Sequence, residues 1–376
     1  MTICAICGIN SDNINSEYFS ANFYPLKLRF SLYTLQLKNP FGLAHGTRNS
    51  TAIVLTQLEH KGIIGFGEAS LPPYHGETQQ SVVRFLSALT LEKFENPLET
   101  EKILKYVNAI APGNNAVKAS VDIALHDLIG KMLNKPCHEY FGVKLTDKKY
   151  SSYTIAIDEL KTISQKIKEA KEFKILKIKL GTRDDEKIVH IVKNECNKKL
   201  YADANQGWSD KSMALEMLHM LKENNFEVVE QPMPVDCEDD DMRWLKEKSP
   251  LPLLADEAVK RYSDLEKAQE LFHGINIKLM KSTGMAEAHK MILRARELNL
   301  KVMIGCMTES SCAILAAAHL SPLADYVDLD GAFLVSNNPF KNPELRDGCI
   351  VVPEKPGIGL ESVSYTHLTL PTNREV

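Results

Sequence analysis

Six clusters of polar residues punctuate the second half of the chain: Lys177-Ile178-Lys179, Asp203-Ala204-Asn205, Glu230-Gln231-Pro232, Asp256-Glu257, Lys278-Leu279-Met280-Lys281 and Asp328-Leu329-Asp330. Each closes a short apolar run. Three consecutive clusters lead with a carboxylate: Asp203, Glu230 and Asp256. Carboxylates brought together repel unless a cation sits among them. A hard divalent ion with oxygen ligands meets that need, and Mg²⁺ suits a site with few protein carboxylates and room for substrate oxygens. One such acid alone reads as readily as a helix cap or a surface acid. Matching positions on three runs argue for a ligand set, which Asn205 and Glu257 are placed to orient.

The lysines flank this set. Side chains alternate along a strand, so Lys177 and Lys179 face the same way. Lys278 belongs to the third cluster after Asp203, on the far side of a closed arrangement. Neighbouring ammonium groups disfavour each other's protonation, so Lys177 is expected to make Lys179 a better base. Two such lysines on opposite faces of a carbon can remove a proton from one side and return it on the other. That is 1,1-proton transfer, meaning racemisation or epimerisation. A metal would stabilise the enediolate formed from a substrate carboxylate. The competing reading makes these lysines plain ion partners of the acids.

Convergence of the clusters requires a closed sheet. The apolar runs are 150–155, 175–180, 200–202, 226–229, 251–255, 275–279, 302–304 and 326–329, starting about 24 to 27 residues apart. Helical patterns separate them. Met213, Ala214, Met217, Leu218 and Leu221 form one apolar stripe, and Ser263 with Glu266 is expected to form a capping box. This strand–helix repeat argues for a (β/α)₈ barrel, whose working groups lie at the C-terminal strand ends. An open doubly wound sheet would need a glycine-rich phosphate turn after its first strand, and none is present.

Before the barrel, the pattern is α+β over 25–147. A strand is expected at 26–37, and a hairpin from 51–58 and 63–66 turning at His60-Lys61-Gly62. Helices follow near 78–91, 98–110 and 115–134. Residues 1–24 read as an extension, 148–345 as the barrel and 346–360 as a closing segment. Residues 361–376 lack a core pattern and are set aside. The net charge of −4 with no basic stripe argues against nucleic acid. No run approaches the ~18 apolar residues of a membrane span, and no signal peptide is evident, so a cytoplasmic protein is expected. Among the eight cysteines only Cys4 and Cys7 have metal-motif spacing, without a second pair. They read as reduced thiols.

Taken together, these motifs resemble the enolase superfamily, in the subgroup typified by muconate lactonizing enzyme, from about residue 26 to 359. The residues that carry the resemblance are Lys177-Ile-Lys179, Asp203-Ala-Asn205-Gln-Gly-Trp208, Val229-Glu230-Gln-Pro232, Ala255-Asp256-Glu257 and Ile277-Lys278-Leu-Met-Lys281. The resemblance implies Mg²⁺ on Asp203, Glu230 and Asp256. It implies Lys179 and Lys278 as the acid/base pair, assisted by Lys177. It also implies that 25–147 is a capping domain, to which the stretch near Pro356-Gly-Ile-Gly359 returns.

Within that subgroup, Asp328 and Asp330 imply a dipeptide epimerase, because two acids suit a substrate ammonium group. Their own spacing would aim both into the site, or else cap a helix at the rim. Met307 and Thr308 are expected to line the substrate, with Arg48 above it. Ser311 stands where members acting on L-Ala-D/L-Glu carry a base, so a neutral or hydrophobic side chain is expected; Arg48 keeps glutamate open. The alternatives are an o-succinylbenzoate synthase or cycloisomerase with the same metal and lysines, and a non-catalytic binding protein on this fold. Assembly into a homo-oligomer is left open.

Overall fold

The computed structural model describes residues 24–43, 46–73, 76–145 and 148–363. Residues 1–23 of the expected extension, with Cys4 and Cys7, and residues 364–376 of the tail lie outside them.

Three antiparallel strands open the fold: β1 (Lys27–Leu43), β2 (Gly46–His60) and β3 (Ile63–Leu71). Lys61 (φ 51°) and Gly62 (φ 78°) make the β2–β3 turn with the left-handed backbone that a two-residue hairpin demands. The β1–β2 ladder slips between Gln36 and Phe41, around Pro40, which has no N–H to give it. It then re-pairs Phe41 with Arg48. This arm docks on the barrel: a Cβ at Gly42 would lie 2.1 Å from the Ile157 carbonyl oxygen.

Helices α1 (Gln79–Ser87), α2 (Thr100–Ala109), α3 (Asn115–Met132) and α4 (Cys137–Tyr140) complete the cap. Helix α3 is buried nearly all round, lying against β3 and against the barrel helix that begins at Met285. Gly65 and Gly67 permit the approach, since a Cβ there would come within 2.1 Å of Ala124 O and 1.8 Å of Ser120 O. Asn114 does not cap α3. The Glu77 carboxylate accepts from the Ala116 and Val117 N–H groups instead, at 2.9 and 3.2 Å, satisfying donors that a helix start leaves unpaired. Asp127 accepts from the N–H groups of Phe66 (2.8 Å) and Ile358 (2.9 Å), tying α3 to β3 and to the C-terminal segment.

Eight parallel strands alternate with helices in the second unit: β4 (Ser152–Ile155), α5 (Leu160–Glu169), β5 (Ile175–Lys179), α6 (Asp185–Glu195), β6 (Lys199–Asp203), α7 (Lys211–Glu223), β7 (Phe226–Glu230), α8 (Asp239–Lys248), β8 (Leu253–Ala255), α9 (Leu265–Leu271), β9 (Gly274–Lys278), α10 (Met285–Glu297), β10 (Lys301–Gly305), α11 (Ser311–Ala318) and β11 (Tyr326–Asp328). The short pair β12 (Leu345–Arg346) and β13 (Cys349–Ile350) follows. The fold is a (β/α)₈-type barrel under an α+β cap. It closes at the β11–β4 seam, where Ser151 bridges Val327 and its Oγ accepts from Leu329 N–H at 2.9 Å. Ile175, Tyr201, Val228, Leu254 and Met303 fill the barrel floor. Full burial stabilises by about 1.5–3 kcal/mol for each large aliphatic side chain.

One local expectation fails. Ser263 and Glu266 form no capping box; Tyr262–Asp264 make a 3₁₀ turn, and the Asp264 carboxylate accepts from the N–H groups of Lys260 (2.9 Å) and Arg261 (2.8 Å). A carboxylate is a stronger acceptor than a serine hydroxyl, and Glu266 turns outward to Arg294 at 3.0 Å. No described helix is long and apolar enough to cross a membrane.

Candidate active site

The strand period of two carries the site directly upward from the floor. Two residues after Ile175, Tyr201, Val228 and Leu254 come Lys177, Asp203, Glu230 and Asp256. On β9 the same spacing relates Asn276 to Lys278. Gly305 on β10 leaves space for Asn276, whose Oδ1 would lie 2.5 Å from a Cβ there. Asn276 uses that space to donate to Glu230 Oε1 at 2.9 Å.

Each carboxylate has ammonium company. Lys179 Nζ lies 2.6 Å from Asp203 Oδ2. Lys177 Nζ reaches Asp203 at 3.2 Å, Glu230 at 2.8 Å and Asp328 at 2.8 Å. On the opposite wall, Lys278 Nζ is 2.6 Å from Asp256 Oδ2 and 3.8 Å from Glu230 Oε1. Lys281 pairs with Asp256 Oδ1 and donates to the carbonyls of Asp256 (2.5 Å) and Asn276 (3.0 Å). The β6–α7 loop is fixed by Asn205, whose N–H donates to Asp203 Oδ1 at 3.0 Å and whose amide lies 3.4 Å from Glu257 Oε1.

The electrostatics follow this company. Burial works to raise the Asp203 carboxyl, but Lys179 and Lys177 hold it at about 2. Burial also opposes ionisation of Asp256, and Lys278 and Lys281 pull it well below the carboxylate range. Glu230 goes the other way, to about 8, through burial and then the crowding charge of Asp203. For Lys177, desolvation is outweighed by Asp328, Glu230 and Asp203, and its ammonium is driven up. Neighbouring ammonium groups are expected to lower each other's pKa; at Lys177 the surrounding carboxylates outweigh that effect. Three carboxylates absorb its charge.

One ligand atom from each of Asp203, Glu230 and Asp256 lies within 4.8 Å of the others, and all three residues are buried. This is an all-oxygen set of the kind hard dications take. The raised Glu230 carboxyl is what such a set should show when its mutual repulsion is relieved by a proton, which a dication would displace. The residues fit Mg²⁺.

The substrate-side residues surround this cluster. Asp328 ends β11, with Oδ2 on Lys177 and Oδ1 accepting from Ser152 Oγ at 2.6 Å. Asp330 is not on the strand; it begins the 3₁₀ turn Gly331–Phe333. Its Oδ2 accepts from Thr154 N–H at 2.6 Å, and its carboxyl is pushed up to about 7 by burial and then by Asp328. After β10, Met307 and Thr308 are buried, and Thr308 Oγ1 accepts from Arg48 Nη2 at 2.7 Å. Ser311 is buried at the start of α11 with its Oγ on Asn338. Sequence reasoning gave no role to Ser152, Thr154, Asn276, Lys281 or Glu309. The period of two, extended inward along β4, would have found the first two.

The chain matches the family model described as enolase C-terminal domain-like over residues 160–364. It matches the mandelate racemase/muconate lactonizing enzyme N-terminal domain over 30–142. The chain belongs to the enolase superfamily. Among similar proteins, an L-Ala-D/L-Glu epimerase of Bacteroides thetaiotaomicron is 44% identical, covering 90% of this chain and 88% of that one. An L-Ala-D/L-amino acid epimerase of Pedosphaera parvula is 33% identical over 89% of this chain and 99% of that one. A dipeptide epimerase from Cytophaga hutchinsonii, crystallised with Mg and D-Ala-L-Val, superposes with a TM-score of 0.84 at 26% identity, covering 91% of this chain and 97% of that one. In this enolase-superfamily chain, then, the carboxylate trio and its lysines stand at the C-terminal ends of the barrel strands, the end from which barrel enzymes work.

Proposed function

We propose that the chain is a Mg²⁺-dependent dipeptide epimerase acting at the α-carbon of the C-terminal residue, with Lys179 and Lys278 as opposed acid and base. One observation carries the reading. Strands β5 and β9 lie four places apart in the eight-strand order, and each brings a buried lysine to its own member of the carboxylate trio. An α-carbon held between those walls would have one ammonium or amine on each face. One lysine would take the α-proton and the other return a proton to the opposite face, inverting the centre. Bound at Asp203, Glu230 and Asp256, Mg²⁺ would supply charge neutralisation for the substrate carboxylate as it becomes an enediolate. Lys177 stays protonated and offsets the mutual repulsion of Asp203 and Glu230. Asp328 and Asp330 give the substrate ammonium an acidic end to the site, which suits a free dipeptide better than an o-succinylbenzoate synthase or cycloisomerase substrate.

For the inverted residue we infer glutamate. The expected neutral preference rested on Ser311 and on Gly46, which stands near the expected basic position of the cap arm. Support for glutamate comes from Arg48, which the β1–β2 arm brings to Thr308 at 2.7 Å, and from the relative at 44% identity. Its guanidinium can meet a carboxylate that would otherwise enter a closed site without a cation. We also keep the cytoplasm as the setting, where Cys137, Cys306 and Cys312, buried as free thiols, stay reduced.

The test is L-Ala-L-Glu in D₂O with Mg²⁺, followed by NMR and mass spectrometry. The expected result is one deuterium at the glutamate α-carbon together with the D-Glu epimer, and loss of both with EDTA. No α-deuteration of any dipeptide in a broad panel would sink the epimerase reading. Fast exchange of L-Ala-L-Leu with none for L-Ala-L-Glu would sink only the glutamate preference.

A further inference from the structure

A cleft of about 580 Å³ opens between the cap and the barrel. Helices α2 and α3 form one wall; α10 and the turn at 261–263 form the other. None of the lysines or carboxylates of the barrel mouth lines it. Its size is that of a small-molecule site.

The charges along the cleft are unevenly matched. Glu287 is fully engaged: Arg261 donates to it from Nε at 2.7 Å and from Nη2 at 2.6 Å, and the Tyr262 N–H adds a third bond at 3.0 Å. Asp122 is turned onto the start of α10, where it accepts from the N–H groups of Met285 and Ala286. Glu101 stands exposed at the rim. Three lysines are left. Lys105 and Lys290 are exposed, and Lys118 is buried. Among the described residues none of the three makes an ion pair within 4.0 Å. The Lys118 ammonium has three donors and gives one to the Ala111 carbonyl at 2.7 Å. Burial, and then the Arg261 guanidinium, hold it below the ordinary lysine value, the direction expected where positive charge is not fully answered. On the same lining, Asn108 Oδ1 is buried with no hydrogen-bond partner among the described residues. A buried ammonium without a counter-charge and a buried acceptor without a donor are both costly. An oxyanion that also carries a hydroxyl would satisfy the two together.

We propose that this cleft is a second binding site, separate from the barrel mouth, for a small hydroxylated oxyanion, with Lys118 at its base and Lys105 and Lys290 at its entrance. The ligand is a phosphate monoester or a hydroxy acid. Bound there, it bridges α2 and α3 of the cap to α10 of the barrel.

The test is calorimetric titration of the full chain with glycerol 2-phosphate and with malate. It is run in EDTA, so that no dication at the mouth can take up the probe. At least one probe is expected to bind with a Kd below about 1 mM. It should also raise Tm, since a ligand held only by the folded state stabilises that state. Binding of the phosphate alone assigns a phosphate monoester, and binding of malate alone a hydroxy acid. Lys118→Met is expected to abolish binding. The double variant Lys105→Glu/Lys290→Glu alters only exposed positions, so it should fold as the wild type does, and it should weaken binding at least about tenfold. Lys278→Met, at the mouth, should keep the wild-type affinity. Failure of both probes to reach that affinity would overturn the proposal. So would undiminished binding in Lys105→Glu/Lys290→Glu. Loss of binding in Lys278→Met would overturn it too, by placing the probe at the mouth.

Discussion

Asp203, Glu230 and Asp256 at the barrel mouth and Glu68 and Glu309 at the junction with the cap are all at most 4% exposed, yet they hold protons very differently. Asp203 is held at about 2, and Asp256 is pulled well below the ordinary carboxylate range. Glu68 is pushed up to about 7 and Glu309 to about 8, by burial first. Company explains the contrast. The mouth acids touch Lys177, Lys179, Lys278 and Lys281. Glu68 accepts from the N–H and hydroxyl of Ser310, and Glu309 accepts from the Met307 N–H. Hydrogen bonds to neutral donors do not offset the desolvation of a carboxylate as an ammonium does. Glu230 marks the boundary: with Asp203 and Asp256 pressing on it, two lysines still leave it at about 8. The mouth therefore stores charge, and the junction stores protons.

Removing the charge from one wall of the mouth should have the largest effect. In Lys278→Ala, Asp256 keeps Lys281 as its partner, so the ligand set survives while the proposed acid/base group is lost. Epimerisation and α-deuterium exchange are expected to fall by about 10³-fold, within the range for a positioned general acid or base. Mg²⁺ affinity, read by calorimetry, should change only a few-fold. Full activity would show that the mouth lysines serve only as counter-ions, which would make their role one of stability alone.

A second break in the contrast is Lys177→Met. It takes one ammonium from Asp203, Glu230 and Asp328 at once and makes the mouth resemble the junction. Stranding buried charge by deleting one partner costs about 3–5 kcal/mol. Urea unfolding in EDTA should show a loss of this order, and saturating Mg²⁺ should stabilise the variant more than the wild type, because the dication replaces the missing charge. Equal stability of variant and wild type in EDTA would mean that the acids there are held as the junction acids are, by protons.

What the sequence disclosed follows the same division. Strand ends that carry charge are conspicuous against apolar runs, so Lys177, Lys179, Asp203, Glu230, Asp256 and Lys278 were readable, and with them the eight-strand repeat. Lys281 and Asn276 were not. Their partners lie on other strands, Asp256 and Glu230, and no local pattern announces a contact across 25 to 46 residues. The capping box at Ser263 looked sound locally and lost to Asp264, since a cap is chosen by competing acceptors in three dimensions. Glu68 was least legible of all. It lies within the apolar stretch Ile63–Leu71 of β3, and its partner Ser310 is 242 residues away.

Glu68→Gln tests the junction half of the contrast, with the smallest effect. The folded protein holds the Glu68 proton up to about pH 7, whereas an ordinary unfolded glutamate releases it near 4.5. Between those values the folded state binds more protons than the unfolded one, so stability falls as pH rises. The contribution is complete below about pH 4.5 and gone above about pH 7, amounting to about 3 kcal/mol at most. Glutamine is neutral at every pH and can accept the Ser310 N–H bond with its carbonyl. The variant should match the wild type at pH 5 and exceed it at pH 8. Taking the difference between variant and wild type in urea unfolding at both values cancels the titration of the mouth. A variant less stable than wild type at pH 8 would show that ionised Glu68 is welcome at the junction, and that its hydrogen bonds to Ser310 suffice without a cation.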